Sequence, residues 1–84
     1  MQAPFDWSQA SSRLIRSELA RAGLTLAELA EKLRELGLEE TEGSIKSKLH
    51  RGTFSAAFLL QCMTVLGRTR LELEGVVPVQ MPRG

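Results

Sequence analysis

Apolar side chains recur three and four residues apart along most of the chain, and the runs are broken by glycines at positions 23, 37, 52 and 67. That spacing puts the apolar residues on one face of a helix, so four helices are predicted. The first opens on Asp6 as N-cap with Gln9 three residues later and runs from about Trp7 to Ala22. Ile15, Leu19 and Ala22 give it an apolar face, with Leu14 and Trp7 beside it. The second opens on a full capping box, Thr25 with Glu28, and carries the stripe Leu26, Leu29, Ala30, Leu33 and Leu36 up to Gly37. The glutamates of "LEETEG" suit the positive end of a helix dipole, which starts the third helix near Thr41. It runs to about His50, with Ile45 and Leu49 facing inward and Arg51-Gly52 closing it. Thr53 or Ser55 caps the fourth, which continues through Leu66. Phe54, Phe58, Leu59, Cys62, Met63, Val65 and Leu66 make its apolar face broad enough to place it at the centre of the core.

Beyond Gly67 the period changes. In "RLELEGVVPVQMPRG" Leu71 and Leu73 alternate with Arg70, Glu72 and Glu74, the pattern of a short strand. Pro78 and Pro82 then mark a loose tail. The predicted fold class is all-α: a compact four-helix bundle containing a helix-turn-helix, with a short C-terminal β-strand or extended tail. Residues 1–84 form one domain, its core spanning about 7–74 and its tail 75–84, with no repeat or linker.

Composition alters this picture little, since 84 residues hold a single core and a hydrophobic share of 43% is ordinary. No run approaches the ~18 apolar residues of a membrane span, and the N-terminus lacks the basic and apolar regions of a signal peptide. The lone Cys62 excludes an internal disulfide. The expected setting is the bacterial cytoplasm, at the nucleoid when bound to DNA.

Charge changes the picture more. Residues 1–43 carry five cations, Arg13, Arg16, Arg21, Lys32 and Arg34, against eight acids. Residues 44–84 carry six cations against Glu72 and Glu74 alone, and no acid falls between Ser44 and Leu71. An acid-free segment containing a basic helix suits an anionic partner.

With Ile45 and Leu49 inward, about 100° per residue leaves Gly43, Ser44, Lys46, Ser47, His50 and Arg51 on the outward side of the third helix. Gly43 permits close approach, and every side chain there donates hydrogen bonds. Arg and Lys satisfy guanine O6 and N7, while Ser and His reach bases or phosphate. Ser44, Lys46, Ser47, His50 and Arg51 are therefore base-contact candidates, and Arg13, Arg16, Lys48, Thr53, Arg68 and Arg70 are phosphate-contact candidates.

"LTLAELAEKLRELGL" followed by "IKSKLHRG" and an apolar helix resembles the Cro/repressor-like (XRE-type) helix-turn-helix family, over roughly residues 14–67. Leu49-His50-Arg51-Gly52 stands where that family ends its recognition helix, with His50 in place of the usual glutamate. The connection from Gly37 to Ile45 is longer than the family's usual turn. More narrowly, "KLHRGTFSAAFLLQC" is similar to the signature of an uncharacterised bacterial domain family. The resemblance implies that the third helix enters a DNA major groove.

One His, one Cys and no Tyr leave little for catalysis or a zinc site, so no enzyme activity, metal or cofactor is expected. The expected function is sequence-specific binding of double-stranded DNA by a transcriptional regulator. The alternative is a protein-interaction module, antitoxin-like or a regulatory partner, on the same scaffold. A homodimer is expected, with half-sites about 34 Å apart, and the Arg70–Glu74 segment offers an edge either for its symmetry mate or for packing on the first helix. Neither a membrane nor a small-molecule ligand is expected.

Overall fold

The computed structural model describes residues 4–78. Four helices follow one another: α1 (Trp7–Ala22), α2 (Leu26–Glu35), α3 (Glu42–Arg51) and α4 (Ala56–Val65). Each begins on a side-chain cap. Asp6 accepts from the Gln9 amide at 2.9 Å, and Thr25 and Glu28 close a reciprocal box. α3 has a box of the same kind made by Thr41 and Ser44, with serine where glutamate or glutamine is usual. Ser55, rather than Thr53, caps α4. Each cap is worth about 1 kcal/mol.

The helix ends divide into two kinds. After α1, α2 and α4 the chain turns back through Leu24 N–H to the Leu19 carbonyl (3.2 Å), Leu38 to Leu33 (3.2 Å) and Arg68 to Met63 (2.9 Å), so these ends satisfy their own carbonyls. α3 ends on the simpler turn, in which Gly52 N–H reaches the Lys48 carbonyl at 2.9 Å. The Leu49 carbonyl is then met from outside the helix, by the hydroxyl of Ser12 on α1. Gly52 is buried at φ +69°, and a Cβ added there would overlap the Ser8 carbonyl of α1. The glycine is needed twice, for its left-handed backbone and for the close approach of two chains.

The core gathers Ile15 and Leu19 from α1, Leu29, Ala30 and Leu33 from α2, Ile45 and Leu49 from α3, and Phe58 and Cys62 from α4. Each fully buried leucine or isoleucine contributes roughly 1.5–3 kcal/mol relative to exposure. α3 packs on α1 and α2, and α4 packs on the same two helices. The short α3 is thus held mainly by Ile45 and Leu49 and by its two junctions with α1.

Four sequence expectations are corrected. Trp7 is 60% exposed and meets the Phe5 ring edge-on at 4.7 Å, because the first helical residue projects beyond the end of the core. Ala22 and Leu36, at the last turns of α1 and α2, are also exposed. Leu71 and Leu73 face solvent, and no strand forms among the described residues. A strand needs a neighbouring ladder, and only an isolated bridge between Glu74 and Val77 occurs, within a turn whose Val76 and Val77 amides both reach the Leu73 carbonyl. The expected strand-edge dimer contact therefore lacks its strand. Residues 79–84, including Pro82 of the expected tail, lie outside the described residues. No described helix is long and apolar enough to cross a membrane.

Candidate functional site

Burial of Ile45 and Leu49 fixes the rotation of α3 and turns Gly43, Lys46, Ser47, His50 and Arg51 to solvent. Those five occupy the face assigned to them by helical spacing. The C-terminal end of this face opens into a cleft of about 400 Å³ between α3 and the N-terminal half of α1. Gln9, Ser12 and Arg16 share one face of α1 by their spacing of three and four residues, and all three line the cleft. His50 and Arg51 line it from α3. The fold therefore brings Arg16 to the same concavity as two of the base-contact candidates, an association that no local pattern announced.

The cleft also contains an acid. Asp6, from outside the acid-free segment, lines it while capping α1. Its carboxylate is partly committed to the Gln9 amide.

Three candidates are engaged elsewhere. The Ser44 hydroxyl accepts from Thr41 N–H at 2.8 Å and donates to Glu40 Oε1 at 2.7 Å, so capping the helix occupies it. Lys48 Nζ pairs with Glu40 Oε2 and lies 4.7 Å from the centroid of the Phe58 ring. Arg68 Nε pairs with Glu18 Oε2 at 2.5 Å. Each of these three donors already serves a buried carboxylate within the fold. Arg13, Thr53 and Arg70 are exposed but do not line the cleft.

Glu40 is the residue that sequence patterning missed. It stands in a run of acids, yet it is only 8% exposed. Burial acts against its charged form, but the hydrogen bonds from Lys48 and Ser44 outweigh that cost and hold its carboxyl below the ordinary value. Its backbone carbonyl accepts from Arg34 Nη1 at 3.1 Å, which ties the connection before α3 back to α2. Glu39 and Glu42 stay exposed, with Glu42 in the first turn of α3 where the helix dipole favours it. Ser12 offered one faint signal, a hydroxyl three residues before Ile15 on an otherwise apolar face.

Burial pushes the Cys62 thiol up to about 12, with Glu40 adding to the rise and Lys48 opposing it. A thiol in that state is a core hydrophobe rather than a nucleophile. Among the described residues no three His, Cys, Asp or Glu side chains are grouped to hold a metal ion.

A family model, Domain of unknown function (DUF6471), matches residues 7–71, from the start of α1 to just beyond α4. No curated protein and no solved structure matches the chain.

Proposed function

The chain belongs to the DUF6471 family, and for this member we propose sequence-specific binding of double-stranded DNA, with α2 and α3 acting as the helix-turn-helix of a transcriptional regulator in the cytoplasm. The observation that supports it is the meeting of Arg16, His50 and Arg51 at one cleft, beside the exposed Lys46 and Ser47 on the same helix. A phosphate strand following that cleft would leave the outward side of α3 directed at base edges. Lys46 and Arg51 then suit guanine O6 and N7, Ser47 and His50 suit either a base or a phosphate, and Arg16 suits phosphate. Lys48 and Arg68 take no part, since their charges are matched within the fold. No step of this function is catalytic.

The test is fluorescence anisotropy with labelled duplex DNA at low and moderate salt, using wild type, Arg16→Ala and Arg51→Ala. Binding should weaken steeply with salt, and each substitution that removes a phosphate contact should lower the log–log slope by about 0.9. Loss of salt-dependent binding in every condition would sink DNA binding and favour the protein-interaction module. Equal binding by wild type and both variants would move the DNA away from this cleft.

A further inference from the structure

We propose that the α1–α3 cleft binds a small phosphorylated sugar of the nucleoside monophosphate kind, with its phosphate on Arg16 and Arg51 and its hydroxyls on Asp6.

The charges in this cleft are not matched to one another. Among the described residues the ion pairs are Arg21–Glu18, Lys48–Glu40 and Arg68–Glu18. Arg16 and Arg51 belong to none of them, although Asp6 lines the same concavity. The packing of α3 on α1 accounts for the separation. Gly52 lies against the Ser8 backbone and the Leu49 carbonyl meets the Ser12 hydroxyl, so His50 and Arg51 enter between those two levels of α1. Asp6 stands to one side of them and Arg16 to the other, roughly 15 Å apart along the helix axis. Side chains on a helix lean toward its N-terminus, which shortens the span a ligand has to cross.

The unmatched groups specify the ligand. Two guanidinium forks suit the oxygens of a phosphate, and the His50 ring adds a further donor. The Asp6 carboxylate calls for donors instead. Its Oδ1 takes the Gln9 amide at 2.9 Å, which leaves Oδ2 to a ligand. The backbone of duplex DNA answers only the cations, because its phosphate and sugar oxygens are acceptors and its charge repels Asp6. A phosphorylated sugar answers both, since its hydroxyls donate. No small-molecule ligand is expected from the sequence, because the concavity arises only where α1 packs on α3. Its volume of about 400 Å³ falls in the roughly 300–1,000 Å³ range of small-molecule sites. Leu49 is the sole apolar residue of the lining, which suits a polar ligand.

The inference rests on the cationic cleft that also supports the DNA-binding reading, and it adds regulation to that site. A ligand phosphate on Arg16 and Arg51 takes the groups that a DNA strand would use, so ligand and DNA exclude each other. Ligand binding itself requires no DNA. Arg16, His50 and Arg51 are exposed, so the affinity is weak, about millimolar.

Amide NMR of isotope-labelled protein tests it, with adenosine monophosphate, inorganic phosphate and adenosine each added to about 10 mM at constant ionic strength. Adenosine monophosphate should shift the amides of Ser8, Gln9, Ser12, His50 and Arg51, and Arg16→Ala should abolish the shifts. Asp6→Asn keeps a capping oxygen while removing the charge. It should weaken adenosine monophosphate roughly fivefold to tenfold and leave inorganic phosphate unchanged or tighter. Absence of shifts at the cleft overturns the proposal. So does an Asp6→Asn variant that binds both compounds more tightly, the behaviour of a bare anion site. Duplex DNA followed by anisotropy separates the two readings. Cleft shifts with adenosine monophosphate but no DNA binding would uphold this inference alone. DNA binding without those shifts would overturn it and leave the DNA reading standing.

Discussion

Lys48 gives its ammonium to the Glu40 carboxylate and lies against the Phe58 ring, so one side chain of α3 joins the connection before it to the helix that follows. The pair is arranged to hold α3 rather than to meet a ligand. Glu40 is nearly buried and also receives the Ser44 hydroxyl. Replacing Glu40 by Ala would strand Lys48 beside the core and remove one partner of Ser44. The expected loss is about 1–3 kcal/mol, below the fully buried case because Lys48 keeps some solvent contact. Urea unfolding of Glu40→Ala beside wild type would measure it.

The same pair sets a pH dependence. The folded Glu40 carboxyl lies below its ordinary value of 4.5, so the unfolded chain takes up a proton first as pH falls. Glu40 therefore contributes stability that is present above about 4.5 and is lost as pH drops through the folded value. Melting temperatures at pH 7 and at pH 3 to 4 should differ more in wild type than in Glu40→Gln. Equal acid sensitivity in the two proteins would assign the effect to other carboxyls.

Ser12 and Leu49 make a second junction that can be cut cleanly. Ser12→Ala leaves the Leu49 carbonyl buried without its donor, at a cost of about 1–3 kcal/mol. In a domain of this size each kilocalorie corresponds to about 4–8 °C, so a depression of at least a few degrees should appear by calorimetry. An unchanged melting temperature would mean that water replaces the hydroxyl.

Two glycines with similar backbone angles should respond very differently to alanine. At Gly67 a Cβ meets nothing within 4 Å, and the cost is the left-handed conformation alone, about 1–2 kcal/mol. At Gly52 the same strain adds to an overlap with the Ser8 backbone. Gly52→Ala should lose more than twice what Gly67→Ala loses, or fail to fold, as read from denaturation midpoints.

Cys62 should be silent toward thiol reagents in the native protein. With its thiol raised to about 12 and no exposed surface, reaction at pH 8 should wait for unfolding. Its rate should rise with denaturant in step with loss of helical signal. Rapid labelling without denaturant would show that α4 opens locally.

Local chemistry wrote most of this fold into the sequence. Thr25 and Glu28, Asp6, and the terminating glycines mark helix boundaries because capping acts within three or four residues. Ile45 and Leu49 set the rotation of α3 for the same reason. The Arg70–Glu74 alternation misled because period-two spacing describes a strand only when another strand lies beside it. The cleft was illegible because Arg16 and Arg51 lie on helices with α2 between them in the chain and reach one cleft only through packing. Glu40 was hidden in another way: among neighbouring acids, nothing local singles out the one that turns inward to find Lys48, eight residues on.

The borrowed ending of α3 has a consequence for protein engineering. The other helices carry their own terminations, whereas α3 depends on the Ser12 hydroxyl and on clearance from Ser8. Grafting residues 42–51 onto a foreign scaffold would transfer the side chains without the bracket that holds them. A graft of α3 would have to bring at least Ser8 and Ser12 of α1 in their native spacing.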